Sequence, residues 1–294
     1  MSLSFKGIIP ALVTPFKGGE VDEEAFRRHV DFVIREGVHA VLPCGTTGES
    51  PTLSHAEHQR VIKIAVSEAR GRVPVLAGTG SNSTREAVEM SVQAKKDGAD
   101  GLLLVAPYYN KPSQEGLYRH FQEIALAAAL PVILYNIPGR CGVEILPETT
   151  SRLSQLPNIV GVKEATGDLN KMIRTIELCG PDFLVTSGDD SLTLPLLAVG
   201  GGGVISVAAN LVPRSMVEFW DKWEKGDLSG ARTLFFKLLP LFKALFLETN
   251  PVCVKYALHL SGRMERDMRL PMLPPSVAVA HRLEELVDEW GTKA

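Results

Sequence analysis

Short apolar runs recur along the chain, and an amphipathic, helix-like segment follows each of them. The runs are GIIPALV, AVLPCG, VPVLAGTG, GLLLVAPYY, PVILYNIP, IVGVKEA, FLVTSGD and GVISVAAN. They come at intervals of roughly 20 to 35 residues, about the length of one strand and one helix. Eight such units predict an α/β fold, a closed (β/α)8 TIM barrel. A doubly wound sheet is the main alternative, but no GxGxxG motif follows the first run.

Three of the helix-like segments begin at residues that commonly cap helices. Asp22, Ser54 and Ser83 each precede such a segment, and their side-chain oxygens can accept hydrogen bonds from the free N–H groups of the first turn. Each segment also ends at a glycine, the usual stop at a helix C-terminus. The pattern therefore predicts helices after the first three apolar runs.

The alternation of strand and helix stops after about residue 225. The segments DLSGARTLFFKLLPLFKALFLE, NPVCVKYALHLSG and PPSVAVAHRLEELVDEWG are all typical of helices. We therefore predict two domains. Residues 1–225 form a catalytic barrel, and residues 226–294 form a C-terminal helical appendage.

Charge and cysteine content narrow the class of partner. The chain has 294 residues and a formal net charge of -3 without a Lys/Arg run, which disfavours nucleic acid or a membrane surface as a partner. Four dispersed cysteines lack a CxxC pair or a histidine at zinc-ligand spacing, and we expect them to be free. No segment approaches the roughly 20 apolar residues of a membrane span. MSLSFKGIIPALVTPF also lacks a cleavage site, so cytoplasmic localisation and small-molecule partners are expected.

Ligand sites of such barrels lie at the carboxyl ends of the strands. The polar segments expected there are GTTGES, PYYN, YNIPGRCG and SGDD, together with Lys163 at the end of an apolar run. The GGGG segment precedes the last strand instead and indicates a tight turn at the opposite rim. No carboxylate or histidine cluster at metal spacing and no GxSxG elbow is present, so a metal-free mechanism without a serine nucleophile is favoured.

Lys163 is the candidate nucleophile. A neutral lysine amine attacks carbonyl carbon, but it is protonated at neutral pH unless desolvation or a nearby cation lowers its pKa. Burial in the barrel mouth can supply that desolvation, and Tyr109, Tyr135 and Thr46 can pass the protons that imine formation requires. The alternative is that Lys163 snorkels or pairs with a carboxylate such as Glu164 or Asp189.

Long ordered motifs then resemble a known family. GTTGES, PYYNKPSQEGLYRHF, YNIPGRCG, GVKEATGDL, SGDD and GVISVAAN are similar to the dihydrodipicolinate synthase and N-acetylneuraminate lyase family of pyruvate-dependent class I aldolases. The resemblance implies a barrel with C-terminal helices, a Schiff base between pyruvate and Lys163, and no separate cofactor. It also implies proton transfer by Tyr135, linked through Thr46 to Tyr109, which a neighbouring subunit lends.

The resemblance extends to the substrates. It implies that Thr47 binds the pyruvate carboxylate, that Arg140 receives the carboxylate of L-aspartate 4-semialdehyde, and that the backbone carbonyl of Ile205 lies beside pyruvate. The implied reaction is the condensation that leads to diaminopimelate and lysine. Other pyruvate-dependent aldolases, or a non-catalytic sensor of pyruvate or lysine, are the alternatives. Cys141 departs from the threonine usual after the arginine, which bears on how Arg140 is held.

The resemblance also implies an effector site and an oligomer. In lysine-inhibited members, L-lysine binds at the dimer interface, and the matching residues here are Ser50, His55, His58, Asn82, Glu86 and Tyr108. Pro51 replaces a residue that is usually small. The implied assembly is at least a dimer, and in this family usually a tetramer built as a dimer of dimers.

Overall fold

The computed structural model describes residues 5–290. Its strands are β1 Gly7–Pro10, β2 Phe16–Lys17, β3 Glu20–Val21, β4 Leu76–Gly78, β5 Gly101–Val105, β6 Val132–Asn136, β7 Ile159–Glu164, β8 Leu184–Ser187 and β9 Gly203–Ser206. Its α-helices are α1 Glu23–Arg35, α2 His55–Ala69, α3 Thr84–Lys96, α4 Gln114–Ala128, α5 Pro138–Cys141, α6 Pro147–Leu153, α7 Leu169–Cys179, α8 Thr193–Ala198, α9 Pro213–Glu224, α10 Leu228–Ala244, α11 Val252–Leu260 and α12 Val277–Glu289.

The backbone groups into two compact units. The first unit holds residues 74–205 with residues 5–6, and the second holds residues 7–73 with residues 206–290. The domain boundary predicted at residues 225 and 226 stays a prediction. The outer ends of both predicted domains, residues 1–4 and 291–294, lie outside the described residues.

A parallel sheet forms the centre of the first unit. Strands β4 to β9 are neighbours in chain order, and helices connect them. The side chains of β5 and β6 are almost all buried, as expected for parallel strands covered on both faces. The register aligns Tyr135 of β6 with Lys163 of β7, and Lys163 with Thr186 of β8. The strand ends of this sheet therefore bring residues from three separate motifs to one level.

The predicted helix starts are confirmed. The side chain of Asp22 accepts from Ala25 N at 2.9 Å, and Ser54 and Glu57 form a reciprocal capping box at the start of α2. Ser83 accepts from Glu86 N at the start of α3. The predicted glycine stop is wrong for α2, because Arg70, with φ of 51°, takes the left-handed position before Gly71.

The second predicted strand, AVLPCG, is much shorter than expected. It contributes one parallel bridge between Ala11 and Leu42 rather than a continuous strand. Pro43 has no N–H to donate, and Cys44 has a left-handed φ of 58°, so the extended backbone ends there. The structure also contains an unpredicted hairpin, β2 with β3, in which Gly18 and Gly19 supply the positive φ angles of the two-residue turn.

The three C-terminal helices form where the sequence predicts them, as α10, α11 and α12. Within the second unit, α11 contacts the GTTGES segment through a buried ion pair, since Lys255 Nζ lies 2.5 Å from Glu49 Oε1. The same ammonium lies 4.3 Å above the ring of Phe16. A charge buried this deeply must keep its partner, because an unpaired one would cost several kcal/mol, about 3–5. The pair therefore ties the C-terminal helices to the GTTGES segment.

None of the helices described between residues 5 and 290 has the length and hydropathy that a membrane span requires.

Candidate active site

Lys163 and Tyr135 lie side by side at the end of the first unit's sheet. Because they are register partners on parallel strands, their side chains point to the same face. Lys163 is only 6% exposed, and its Nζ lies 4.2 Å from the centre of the Tyr135 ring. Thr186 of β8 is the register partner of Lys163 on that side, and its hydroxyl donates to the Val162 carbonyl at 3.3 Å. The amine is thus enclosed by an aromatic ring and buried backbone.

This enclosure changes the chemistry of the amine. Burial is the largest cause that lowers the pKa of Lys163, from 10.5 to about 7. The carboxylate of Asp190 acts in the opposite direction, and the guanidinium of Arg140 lowers the pKa further. A large fraction of Lys163 is therefore neutral and nucleophilic near pH 7.

Gly188 leaves the space that the lysine stem occupies. A Cβ atom at this position would lie 3.1 Å from Lys163 Cε and 2.6 Å from the Cβ of Ala165. Any larger residue would have to displace the lysine stem or the backbone after it. The glycine of the SGDD motif therefore has a direct steric role at the amine.

The proposed carboxylate partners of Lys163 are engaged elsewhere. Glu164 accepts from Asn136 Nδ2 at 3.0 Å and from Thr166 N at 3.0 Å. Asp189 caps the short 3-10 helix Asp190–Leu192 by accepting from Ser191 N at 2.8 Å. Within the described part of the chain, Lys163 itself forms no ion pair. The interpretation of Lys163 as one half of a salt bridge with Glu164 or Asp189 is wrong.

Arg140 lies in a short helical segment that directly follows β6. It is exposed, and its guanidinium is close enough to influence the pKa of Lys163. The next residue, Cys141, is buried, and burial raises the pKa of its thiol to about 11. Its carbonyl accepts the Tyr109 N–H at 3.2 Å. Cys141 thus connects the Arg140 segment to the PYYN segment through its backbone, and its thiol stays protonated.

Tyr109 points away from the interior of its own unit. It is 88% exposed, and its backbone has a left-handed φ of 73°, a conformation that is costly for a non-glycine residue. The structure does not bring its ring to Lys163 within the first unit. A tyrosine held outward by a strained backbone is available to a second molecule.

Thr46 and Thr47 belong to the second unit. Thr47 is buried, and its hydroxyl accepts from Asn250 Nδ2 at 3.0 Å, while Thr46 is partly exposed and accepts the Glu49 N–H at 3.1 Å through its carbonyl. Glu49 also takes a left-handed φ of 52° and holds Lys255. The GTTGES segment is therefore a tight, well-bonded turn.

The six effector candidates divide between the two units. In the first unit, Asn110 Nδ2 donates to the Asn82 carbonyl at 2.9 Å, which joins the segment of Tyr108 to that of Glu86. Glu86 accepts the hydroxyl of Ser81. In the second unit, three candidates lie at or just before the start of α2; they are Ser50, His55 and His58. His55 is exposed and His58 is buried.

Two further predictions concern β9 and the turn before it. Ile205 is fully buried in β9, and the GGGG segment ends at the start of this strand, with positive φ at Gly200 and Gly203. Sequence reasoning assigned no separate role to two residues at other strand ends, Asp190 after β8 and Asn136 at the end of β6. Of the two acids of the SGDD segment, only Asp189 caps a helix, while Asp190 is buried and influences Lys163. A second acid directly after a capping Asp was the available signal.

Among residues 5–290, no group of three or more His, Cys, Asp or Glu side chains converges as a metal site would require. All four cysteines are free thiols. The site combines the buried amine of Lys163, the phenol of Tyr135 beside it and the guanidinium of Arg140 nearby. These groups suit imine formation with a carbonyl compound that carries a carboxylate.

Comparison with known proteins agrees with this chemistry. The model of the dihydrodipicolinate synthetase family matches residues 4–289. The 4-hydroxy-tetrahydrodipicolinate synthase of Thermodesulfovibrio yellowstonii is 52% identical over 287 residues, which cover 98% of this chain and 99% of that protein.

Solved structures are equally similar. Dihydrodipicolinate synthase from Aquifex aeolicus has a TM-score of 0.97 at 47% identity, covering 98% of this chain and 99% of that one. The Acinetobacter baumannii enzyme, chloride-inhibited and complexed with pyruvate, has a TM-score of 0.96 at 44% identity, with 98% and 100% covered. The Cyanidioschyzon merolae enzyme with lysine bound has a TM-score of 0.95 at 40% identity, with 98% and 99% covered. This likeness confirms the predicted (β/α)8 barrel with C-terminal helices.

The charges around Lys163 predict a pH dependence. Pyruvate serves as the carbonyl probe, and borohydride traps the imine that it forms with Lys163. The rate of trapping should rise with pH and level off above a midpoint near the Lys163 pKa of about 7, because only the neutral amine attacks. Asp190→Asn removes the carboxylate that raises this pKa, so its midpoint should move to lower pH. Arg140→Met removes the cation that lowers it, so its midpoint should move to higher pH.

These two variants control for each other, because both alter a charged neighbour but with opposite expected shifts. Trapping should be followed by peptide mass analysis at several pH values. A wild-type midpoint near that of an exposed lysine, or shifts of the same sign in both variants, would contradict this electrostatic account.

Proposed function

Because the chain belongs to the dihydrodipicolinate synthetase family, we infer that it is a lyase that condenses pyruvate with L-aspartate 4-semialdehyde. The product is 4-hydroxy-tetrahydrodipicolinate, in the route to diaminopimelate and lysine. The full-length similarity to proteins of this activity favours it over the other pyruvate-dependent aldolases and over a non-catalytic sensor.

One observation carries the assignment of the nucleophile. Lys163 is buried against the Tyr135 ring, forms no ion pair among the described residues, and has a pKa lowered to about 7. A lysine kept only for structure would gain from a carboxylate partner, as Lys255 does with Glu49. The isolation of Lys163 is instead what a nucleophilic amine requires. The pyruvate complex of the Acinetobacter baumannii relative supports pyruvate as the carbonyl substrate.

The first half of the proposed reaction forms an enamine. The neutral Nζ of Lys163 attacks the keto carbon of pyruvate, and the keto oxygen leaves as water after two proton transfers. Tyr135 is the proposed proton carrier, since its ring lies directly beside the amine. The protonated imine then accepts the electron pair released when a methyl proton of pyruvate departs, so no metal or separate cofactor is needed.

The second half joins the two substrates. The enamine carbon attacks the aldehyde carbon of the semialdehyde, and the new alkoxide takes up a proton. The amino group of the semialdehyde then attacks the imine carbon, the bond to Nζ breaks, and the cyclic product leaves a free Lys163 amine. Water is the only other product, which balances the reaction.

Binding of the two carboxylates is assigned to separate residues. We propose that Arg140 receives the carboxylate of the semialdehyde, because its exposed guanidinium offers a fork of donors close to Lys163. Thr47 is the proposed partner of the pyruvate carboxylate, with the carbonyl of Ile205 beside it. The hydrogen bond from Asn250 fixes the Thr47 hydroxyl in one orientation and supports this role.

We further propose that the enzyme is a homo-oligomer in which Tyr109 is lent to a neighbouring subunit and joins Thr46 and Tyr135 in proton transfer. The exposure of Tyr109 and its strained backbone support this arrangement. The proposed assembly is a tetramer built from two such dimers. Four free cysteines are consistent with the cytoplasm as its proposed location.

The turnover assay tests the assignment of Lys163. Lys163→Ala should lose nearly all condensation of pyruvate with L-aspartate 4-semialdehyde, by roughly 10³-fold or more, because the amine that lies beside the Tyr135 ring is removed. Lys225→Ala is a matched control, since Lys225 forms a surface ion pair with Asp221 at 3.8 Å and lies outside the proposed chemistry. Product formation should be followed for both variants. A Lys163→Ala variant with the wild-type rate would overturn the assignment.

Subunit mixing tests the lending of Tyr109. Lys163→Ala and Tyr109→Phe should each be weakly active alone. In a mixed dimer, the Tyr109→Phe subunit keeps Lys163 and receives an intact Tyr109 from its partner, so activity should return towards half of the wild-type value per dimer. If Tyr109 served its own subunit, no mixed site would hold both residues, and mixing would restore nothing.

We also propose that L-lysine is a feedback effector that binds Ser50, His55, His58, Asn82, Glu86 and Tyr108. The lysine-bound Cyanidioschyzon merolae relative supports this proposal, as does the partly exposed Glu86 carboxylate, which can receive an ammonium group. Millimolar L-lysine should lower the initial rate, and Glu86→Gln should weaken the effect. An unchanged rate in wild-type enzyme would refute the proposal.

A further inference from the structure

The residues that directly follow Tyr135 and Lys163 are bonded to each other. Asn136 and Glu164 are register partners at the ends of β6 and β7, and Asn136 Nδ2 donates to Glu164 Oε2 at 3.0 Å. Because side chains alternate along a strand, this pair lies on the opposite face from Tyr135 and Lys163. Both side chains are almost completely buried, and desolvation raises the pKa of Glu164. The proposed mechanism uses neither residue.

The carboxamide of Asn136 also grips the backbone nine residues further on. Its Oδ1 accepts the Ile145 N–H at 2.9 Å, and its Nδ2 donates to the Ile145 carbonyl at 3.1 Å. Together with the bond to Glu164, both amide hydrogens and the oxygen of this side chain are used. The side chain therefore closes residues 137–144 into a loop, and Arg140 lies in the middle of that loop.

Gln114 holds the same segment from another direction. Its Nε2 donates to the Glu144 carbonyl at 2.8 Å, and its Oε1 accepts the Leu146 N–H at 3.2 Å and the Thr149 hydroxyl at 2.6 Å. We call the grip of Asn136 and Gln114 on residues 144–146, with Glu164 bonded to the Asn136 carboxamide, the Ile145 clasp. The backbone groups that the Ile145 clasp holds all follow Arg140 in the sequence.

Arg140 needs such a clasp because its own helix is short. The helix Pro138–Cys141 has four residues and no side-chain cap, and Gly142 ends it in the left-handed conformation. A single turn of this kind is not stable by itself, since helix nucleation is unfavourable. The position of the Arg140 segment therefore depends on contacts outside the helix. One end of the loop continues from β6, the Cys141 carbonyl accepts the Tyr109 N–H, and the clasp fixes the other end.

We propose that Asn136 is a positioning residue that, through the Ile145 clasp, holds Arg140 at the distance from Lys163 required for the acceptor aldehyde. The proposal rests on the proposed function, in which Arg140 receives the carboxylate of L-aspartate 4-semialdehyde. It assigns the two faces of β6 and β7 different tasks. Tyr135 and Lys163 process pyruvate on one face, and Asn136 and Glu164 determine the fit of the second substrate from the other.

Asn136→Ala tests the proposal against a matched control. The control is Asn158→Ala, because Asn158 directly precedes β7 and also joins backbone segments through its side chain, with Nδ2 bonds to the Ala125 carbonyl at 2.6 Å and the Leu130 carbonyl at 3.2 Å. Both variants lose side-chain to backbone hydrogen bonds at the ends of strands. Only Asn136 holds the loop of Arg140.

The readout separates the two substrates. Asn136→Ala should lower kcat/KM for the semialdehyde by roughly 10- to 100-fold, mainly through KM, as expected when a binding group is displaced by about 1 Å. The rate at which borohydride traps the imine of this variant with pyruvate should stay close to the wild-type rate, when it is measured at a pH well above the Lys163 pKa. Asn158→Ala should lower the thermal midpoint without separating the two substrates.

Two results would overturn the proposal. One is an Asn136→Ala enzyme in which pyruvate and semialdehyde kinetics fall equally, and the other is an Asn158→Ala enzyme with the same selective loss. If Asn136→Ala does not fold, Gln114→Ala decides in its place, since it releases the same segment and should show the same selective loss. The proposed function is tested separately, because its failure would appear as wild-type enzyme that does not consume the semialdehyde.

Discussion

The desolvation of one lysine amine is the constraint on which the rest of the site depends. Lowering the Lys163 pKa from 10.5 to about 7 corresponds to about 5 kcal/mol against the charged form. The first unit creates this environment with the Tyr135 ring at 4.2 Å, the space left by Gly188, and the parallel strands on either side of β7. The sheet has to be well packed for such a group to stay dry, so the apolar runs of the sequence are also a catalytic requirement.

The contrast between the two buried lysines explains how one chain uses the same side chain in two ways. Lys255 has a carboxylate partner at 2.5 Å and an aromatic ring below it, and it fixes the GTTGES segment. Lys163 also has an aromatic ring beside it, but it forms no ion pair within residues 5–290. The carboxylate of Asp190 raises the pKa of Lys163 through its charge alone. Burial lowers the pKa of both amines, but the ion pair with Glu49 holds the Lys255 amine in place, whereas Lys163 has no such pair among the described residues and can act as a nucleophile.

Much of this architecture could be predicted from local sequence. Caps at Asp22, Ser54 and Ser83 form as predicted, because a cap depends only on residues within one turn. The strand expected at AVLPCG shrinks to a bridge, since Pro43 and Cys44 interrupt a run that hydrophobicity alone would continue. A second acid directly after a capping Asp marks Asp190 in the sequence, but its effect on Lys163 depends on where two strands of the sheet end. The grip of Asn136 on Ile145 spans only nine residues, but it crosses an irregular loop that no hydrophobic periodicity marks.

Mass mapping of the trapped imine tests the central claim most directly. The protein should be reduced with borohydride in the presence of pyruvate, digested, and its peptides analysed, with a sample reduced without pyruvate as the control. The account predicts one reduced pyruvate adduct, on the peptide that contains Lys163, and none in the control. An unmodified Lys163 peptide, or an adduct on another lysine such as Lys255, would contradict it.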